Sequence, residues 1–265
     1  MTVLSAPATQ TSYAVEVEGL VKEFTVAHAG YGSLKTRLLS LADPRQWRRQ
    51  WTRGSHAPGV ERRRVLDGLS FQIAHGETVG LVGRNGSGKS TLLGTLARIY
   101  RPNGGRITIR GRVAPLLELG AGFHPELTGI ENVYFNGTVL GLSQRQIADR
   151  FDAIVAFAEL ENSIDMPVRN YSSGMLLRLG FATAVHTDAE IILIDEGLAV
   201  GDEAFQNKCF AKIAEFQRQG KTIVVVTHEL DHLERIATRV LWLKDGKIVM
   251  DGDVPTVLAT YTQDL

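Results

Sequence analysis

The stretch Gly83-Arg84-Asn85-Gly86-Ser87-Gly88-Lys89-Ser90 has the composition and spacing of a phosphate-binding loop: a glycine, four free positions, then Gly-Lys-Ser. Glycines let backbone N–H groups turn inward and approach anionic oxygens closely. Lys89 adds a cation that can reach β- and γ-phosphates, and the Ser90 hydroxyl can ligate Mg²⁺. The motif needs a strand before it and a helix after it. Thr78-Val79-Gly80-Leu81-Val82 reads as a buried strand, and Thr91 to Ile99 carries apolar residues at helical spacing.

Two further groups could act on a bound phosphate. The apolar run Ile191 to Ile194 ends in Asp195-Glu196, and Thr222 to Val226 ends in Thr227-His228. In parallel α/β sheets, ligands lie at the carboxyl ends of strands, so these tips are expected to converge on the loop. Asp195 can hold Mg²⁺ directly or through water. Glu196 can act as general base on an attacking water, a role worth about 10²–10⁴ in rate. His228 can touch the γ-phosphate or orient that water. Tyr171-Ser172-Ser173-Gly174-Met175 opens a helical run with small residues and a hydroxyl, which suits either an anion or a plain N-cap.

The elements that must position these groups follow from periodicity. Tyr13 to Val17 alternates as an edge strand that Leu20 to Val26 continues, and Val65 to Ala74 and Arg106 to Arg110 read as strands. Helical patterns dominate from Thr128 to about Val185, where Ser143 with Gln146 has capping-box spacing. An amphipathic helix spans Phe205 to Arg218. Val240 to Leu243 and Ile248 to Met250 form a hairpin around Lys244-Asp245-Gly246-Lys247, and Val254 to Tyr261 closes as a short helix. Buried strands alternating with helices imply an α/β fold with a parallel sheet covered on both faces. The helical block, residues 122–187, is an insertion into it.

Bulk properties narrow the function classes. Lys plus Arg and Asp plus Glu number 29 each, so no global charge favours nucleic acid. The single Cys209 excludes an internal disulfide and a cysteine-rich zinc site, and fits a reducing compartment. No apolar run approaches the roughly 20 residues that span a bilayer. Residues 1–12 carry no secretory signal and read as a disordered tail. Residues 28–64 are different: Lys35, Arg37, Arg45, Arg48, Arg49, Arg53, Arg62, Arg63 and Arg64 face only Asp43 and Glu61. Leu34, Leu38 and Leu41 form a helical stripe there, with Trp47 and Trp51 beyond Pro44.

Together these motifs resemble the ATP-binding-cassette family of ATPases. The resemblance covers nearly the whole chain, with the loop at Gly83 to Ser90, a signature at Tyr171 to Met175, the acidic strand at Ile191 to Glu196, a turn at Ala199 to Asp202 and the histidine at His228, in that order. It implies a P-loop NTPase core with a mainly parallel sheet, a small antiparallel β-subdomain and an inserted α-helical subdomain. It implies ATP held by Gly83, Asn85, Gly86, Ser87, Gly88, Lys89, Ser90 and Thr91, with Phe24 as the aromatic stacked on adenine. It implies a head-to-tail homodimer in which Ser172, Ser173 and Gly174 cap the nucleotide of the other subunit.

Two departures resemble one branch, which exports O-antigen, capsule, teichoic acid and related glycans. The signature reads Tyr-Ser-Ser-Gly-Met instead of Leu-Ser-Gly-Gly-Gln. The usual glutamine is absent from the region Leu117 to Gly129, where Glu118 is taken as the Mg²⁺ ligand beside Ser90 and Asp195. The insertion after Phe24 also fits that branch. The implied partners are a separate integral-membrane permease and the lipid-linked glycan it carries, with the ATPase at the cytoplasmic face of the cell membrane. A C-terminal glycan-binding domain of the kind that some members carry is not expected after the last helix, so glycan selection is expected elsewhere. The competing readings are an ATPase of another transporter class, one of DNA repair or translation, and a regulatory nucleotide-binding module without turnover. Coiled coils, zinc cysteines and a duplicated cassette would favour the repair or translation class and are absent from the sequence; Glu196 and His228 argue against the third.

Overall fold

Thr78–Val82 (β3) lies inside a six-stranded sheet of order β5-β6-β7-β3-β8-β9 in the computed structural model, which describes residues 12–27, 60–117, 122–195 and 201–265. The other strands of this sheet are Val113–Leu116 (β5), Ile191–Asp195 (β6), Thr222–Val226 (β7), Arg239–Lys244 (β8) and Lys247–Gly252 (β9). The strands from β5 to β8 in that order run parallel, and β9 returns antiparallel on β8. Every residue of β3 and β7 is buried. Strands covered on both faces need unbroken apolar runs, which is why these two read as Val/Ile/Leu stretches without alternation.

A second, antiparallel sheet has the order β2-β1-β4, from Tyr13–Ala27 (β1), Val60–Ala74 (β2) and Gly104–Ile109 (β4). Two sequence expectations need correction here. β1 is the central strand of this sheet, not an edge, because β2 and β4 pair on its two sides. β2 begins at Val60, so Arg62, Arg63 and Arg64 belong to a strand and not to the basic insertion. Pairing decides both points: Phe24 lies opposite Arg63 and Glu23 opposite Arg64, which extends the ladder into a segment whose own pattern does not alternate cleanly. Residues 1–11 and 28–59 lie outside the described residues, and with them the expected tail and most of the insertion.

Seven α-helices stand among the described residues: Lys89–Leu96 (α1), Gly129–Val139 (α2), Gln144–Ala158 (α3), Ser173–Val185 (α4), Glu203–Arg218 (α5), Leu230–Ile236 (α6) and Val254–Asp264 (α7). Capping boxes start α2 at Thr128/Glu131 and α3 at Ser143/Gln146, each satisfying two otherwise unbonded amides. α6 is absent from the sequence expectations; Leu230, Leu233 and Ile236 are spaced three apart along it, but the run is only seven residues long.

Three apolar clusters hold these layers. One face of the large sheet packs with α1 and the antiparallel sheet around Leu20, Leu66, Ile73, Leu81, Leu92 and Leu96. The other face packs Phe181 of α4, Phe205, Phe210 and Ile213 of α5, and Val257 and Leu258 of α7. Cys209 sits in this second cluster, and burial pushes its thiol up to about 12, so it is a core residue and not a reactive one. The third cluster, with Val133, Ile147, Ile154, Tyr171 and Leu179, is the core of the helical block. α4 contributes to both the second and third clusters and so joins the block to the sheet. Arg150 of α3 adds a polar tie, donating to both carboxylate oxygens of Asp188 at 2.8 and 2.9 Å and to the His186 carbonyl at 2.7 Å.

Candidate functional site at the phosphate loop

The chain leaves β3 at Val82 and enters α1 at Lys89, so the loop turns from a buried strand straight into a helix. No side chain caps α1: its N-cap is Gly88, and no side chain accepts from the first-turn amides. Uncapped amides and the helix dipole together favour an anion. Gly83 is required by close approach, since a Cβ there would collide with the Leu243 carbonyl oxygen. Gly86 is different. It adopts φ +81°, and a Cβ there would meet nothing within 4 Å, so its bare backbone faces open space.

Lys89 is 7% exposed and donates to the carbonyls of Gly83 at 2.6 Å and Arg84 at 3.2 Å. The ammonium is thus held inside the curve of the loop. Ser87 is buried, and its hydroxyl has no hydrogen-bond partner among the described residues. A buried hydroxyl left unsatisfied costs about 1–3 kcal/mol, which a ligand oxygen would recover. The cleft above the loop has a volume of about 390 Å³. Phe24, Arg63 and Val65 form its wall, and Asn85, Gly86, Gly88, Lys89, Ser90 and Thr91 form its floor. An aromatic wall over a floor of amides, hydroxyls and one ammonium fits a nucleoside polyphosphate.

Phe24 is itself held in place. Tyr100 meets it edge to face, with ring centroids 5.3 Å apart, and the Lys22 ammonium lies 4.8 Å from its centroid. Tyr100 also lies against Gly94 of α1, where a Cβ would come within 2.6 Å of its ring. The aromatic wall is therefore braced on the same helix that begins at the loop. Tyr100, Arg63 and Val65 were not singled out from the sequence. The one available signal for Tyr100 was a glycine inside a short helix, which marks a close neighbour.

The strand tips converge as their apolar runs imply. β7 lies between β3 and β6, with Val226 in register with both Leu81 and Asp195. Asp195 ends β6 half-buried, and His228 follows β7 exposed. Glu196 and Glu118 lie outside the described residues. Ser172 caps α4, accepting from the Met175 amide at 3.2 Å, and Ser173 is exposed beside it. Tyr171 roots this turn: it is buried, and its hydroxyl donates to the Ser163 carbonyl at 2.7 Å. Ser172, Ser173 and Gly174 do not line the cleft of their own loop.

Comparison with known proteins gives a consistent result. The ABC transporter family model matches residues 66–199. The chain is 44% identical over 253 residues to the O-antigen export system ATP-binding protein RfbB of Myxococcus xanthus, covering 94% of this chain and 56% of that protein. It is 47% identical over 199 residues to the protein of the same name from Klebsiella pneumoniae, covering 75% and 81%. The teichoic acids export ATP-binding protein TagH of Bacillus cereus is 41% identical over 197 residues, covering 74% of this chain and 36% of that protein. The chain thus spans about half the length of the Myxococcus relative and about a third of TagH. Among solved structures, a post-hydrolysis dimer of the ATP-binding cassette MJ0796 bound to ADP and Pi aligns with a TM-score of 0.68 at 22% identity, covering 91% of this chain and 98% of that one. At that identity the likeness is one of fold.

Proposed function

This chain belongs to the ABC transporter family, and from that premise we propose that it is the ATP-hydrolysing subunit of an exporter moving a lipid-linked polysaccharide across the cytoplasmic membrane. The observation that carries the reading is the 41–47% identity to export ATP-binding proteins named for O-antigen and teichoic acids. The cleft supports it with an aromatic wall, uncapped amides and a buried lysine. In this reading Phe24 stacks on adenine, and the amides and hydroxyls from Gly83 to Thr91 take the phosphate oxygens. Lys89 moves from the loop carbonyls to the β- and γ-phosphates and offsets their charge. Ser90, Asp195 and Glu118 would hold Mg²⁺, which supplies charge neutralisation at the phosphates when bound. Glu196 takes the proton of the attacking water, and His228 orients that water.

The Ser172–Gly174 turn points to a second copy. It presents a capped helix start and an exposed hydroxyl while contributing nothing to its own cleft. In the dimer it would cap the nucleotide held by the other subunit. No described helix is long and apolar enough to cross a membrane. In this reading, which rests on the names of the export relatives, a separate permease forms the membrane path and this subunit sits at its cytoplasmic face.

Purification from membranes tests the reading. An integral membrane protein should copurify, the pair should release phosphate from ATP steadily, and lipid-linked sugar should accompany it. Phosphate release with no membrane partner would remove the exporter role. A membrane partner carrying a different cargo would remove the glycan.

A further inference from the structure

Tyr100 braces Phe24 of the loop cleft and also lines a second cleft, of about 410 Å³, between the end of α1 and β4. The apolar lining of this second cleft is Tyr100, Pro102, Ile107 and Ile109, and its cations are Arg98 and Arg101. No acidic residue lines it. The charge around it is one-sided as well: from Thr91 to Leu117 the chain carries five arginines and no Asp or Glu. Of these, only Arg110 meets a carboxylate among the described residues, that of Glu16 at 3.3 Å. The guanidinium groups of Arg98 and Arg101 have no hydrogen-bond or ion-pair partner there.

Arg98 stands where glycine is usual. Its amide donates to the Thr95 carbonyl at 3.1 Å, and the Ile99 amide donates to the Gly94 carbonyl at 2.8 Å. This pair of bonds closes a helix through one left-handed residue, which is commonly glycine. Here it is Arg98, at φ 62°. Glycine would avoid the Cβ penalty of that conformation. The arginine is held there in spite of it, with its charge unspent at the cleft.

The cleft is tied to the nucleotide wall through the chain from Tyr100 to Asn103. Lys22 Nζ donates to the Arg101 carbonyl at 2.9 Å, and the Glu23 amide donates to Asn103 Oδ1 at 2.8 Å. The Asn103 amide donates to the Val21 carbonyl at 2.8 Å. The strand that carries Phe24 is thereby pinned to the rim of the second cleft on both sides of Arg101. We propose that this cleft is a second ligand site, for a small molecule joining one anionic group (phosphate, sulfonate or carboxylate) to an apolar or ring body, and that its occupancy tightens nucleotide binding through Tyr100 and Phe24. The volume is that of a small-molecule site, and two arginine forks over an apolar floor match an amphipathic anion. A body packed on Tyr100 restrains the ring that holds Phe24. The coupling half rests on the proposed role of Phe24 in stacking on adenine.

The test uses the full chain and naphthalene-2-sulfonate as a fluorescent probe, with neutral 2-naphthalenemethanol and inorganic phosphate as comparisons. The probe should bind the parent, and Arg98→Gly and Arg101→Gln should each weaken it about tenfold while ATPase activity without probe stays within about twofold. Arg98→Gly should melt no lower than the parent, since it relieves the left-handed arginine. A non-hydrolysable ATP analogue should tighten the probe about fivefold, and the probe should tighten the analogue by the same factor, because coupling is reciprocal. Phe24→Leu should keep probe binding and lose that coupling. Absent binding, equal binding in the arginine variants, or equal affinity for the neutral alcohol or for phosphate alone overturns the site. Displacement of the probe by the analogue overturns it too, since the probe would then sit in the loop cleft. Additive binding without coupling overturns the link to Phe24. If the parent binds no nucleotide, the reading of the phosphate loop fails by itself, and the arginine dependence of probe binding still decides the second site.

Discussion

The amide of Gly246 donates a 3.1 Å hydrogen bond to the carbonyl of Ser87, so the turn between β8 and β9 clasps the phosphate loop. The same turn accepts from the Asp67 amide at 2.9 Å through the Gly246 carbonyl, joining β2 to the loop. Gly246 adopts φ +74°, and a Cβ there would lie 2.5 Å from the Val65 carbonyl oxygen. Gly246→Ala should push the turn off the loop and raise KM for ATP about tenfold, with strain on the order of 1–3 kcal/mol lowering the melting temperature. Gly220→Ala is the control, because Gly220 has φ +70° and open space around its Cβ position. Equal effects of the two substitutions on KM would show backbone strain acting alone, without a clasp.

Lys89→Ala removes the one ammonium buried in the loop curve. Steady phosphate release should fall by orders of magnitude, because the developing phosphate charge loses its main fixed cation. Parental turnover in this variant would take the loop out of the mechanism.

Glu196→Gln should bind nucleotide and turn it over about 10²–10⁴ times more slowly, since the phosphate contacts stay and only the base is lost. The nucleotide-bridged dimer should then accumulate and show as a doubled mass by light scattering with ATP. A monomer with ATP present, or turnover at the parental rate, would contradict the assignment.

Asp188 gives a pH signature. Its hydrogen bond from Arg150 holds the carboxyl below its ordinary value of 3.8. A depressed folded-state pKa means that the stabilisation is fully present above about pH 4 and fades as pH falls through the folded value. The pair is partly exposed, so its contribution is about 1 kcal/mol or less. Asp188→Asn should therefore melt a few degrees lower at neutral pH, and the gap should close in acid. A gap that stays constant down to acid unfolding would mean that the ion pair contributes nothing.

Replacement of residues 30–58 by a short Gly-Ser linker tests the basic insertion, which lies outside the described residues. Leu34, Leu38 and Leu41 form an apolar stripe in sequence, and Trp47 and Trp51 suit a polar–apolar boundary. Lys35, Arg37, Arg45, Arg48 and Arg49 are each worth about 1 kcal/mol near an anionic surface. Phosphate release by the isolated protein should persist, while glycan export and permease binding should weaken. Unchanged export and binding would leave a solvated loop.

Local signals made the loop and the strands that carry it legible in the sequence. Gly83 to Ser90 are consecutive, and their role depends on glycine torsions and a helix start, which neighbouring residues dictate. The unbroken apolar runs of β3, β6 and β7 predicted buried parallel strands, and their polar tips predicted one shared edge. Ser143 with Gln146 predicted a helix start, and that box is present.

What tertiary structure alone decided is long-range. Whether β1 is an edge or a centre depends on β2 and β4, which reach it from more than 30 residues away along the chain. Tyr100 braces Phe24, Gly246 clasps Ser87, and Arg178 joins Glu159 to Asp202 across contacts that no short window contains. A phosphate loop is written in eight adjacent residues. The groups that hold it in place are chosen by packing, where any part of the chain that reaches the same few ångströms can serve.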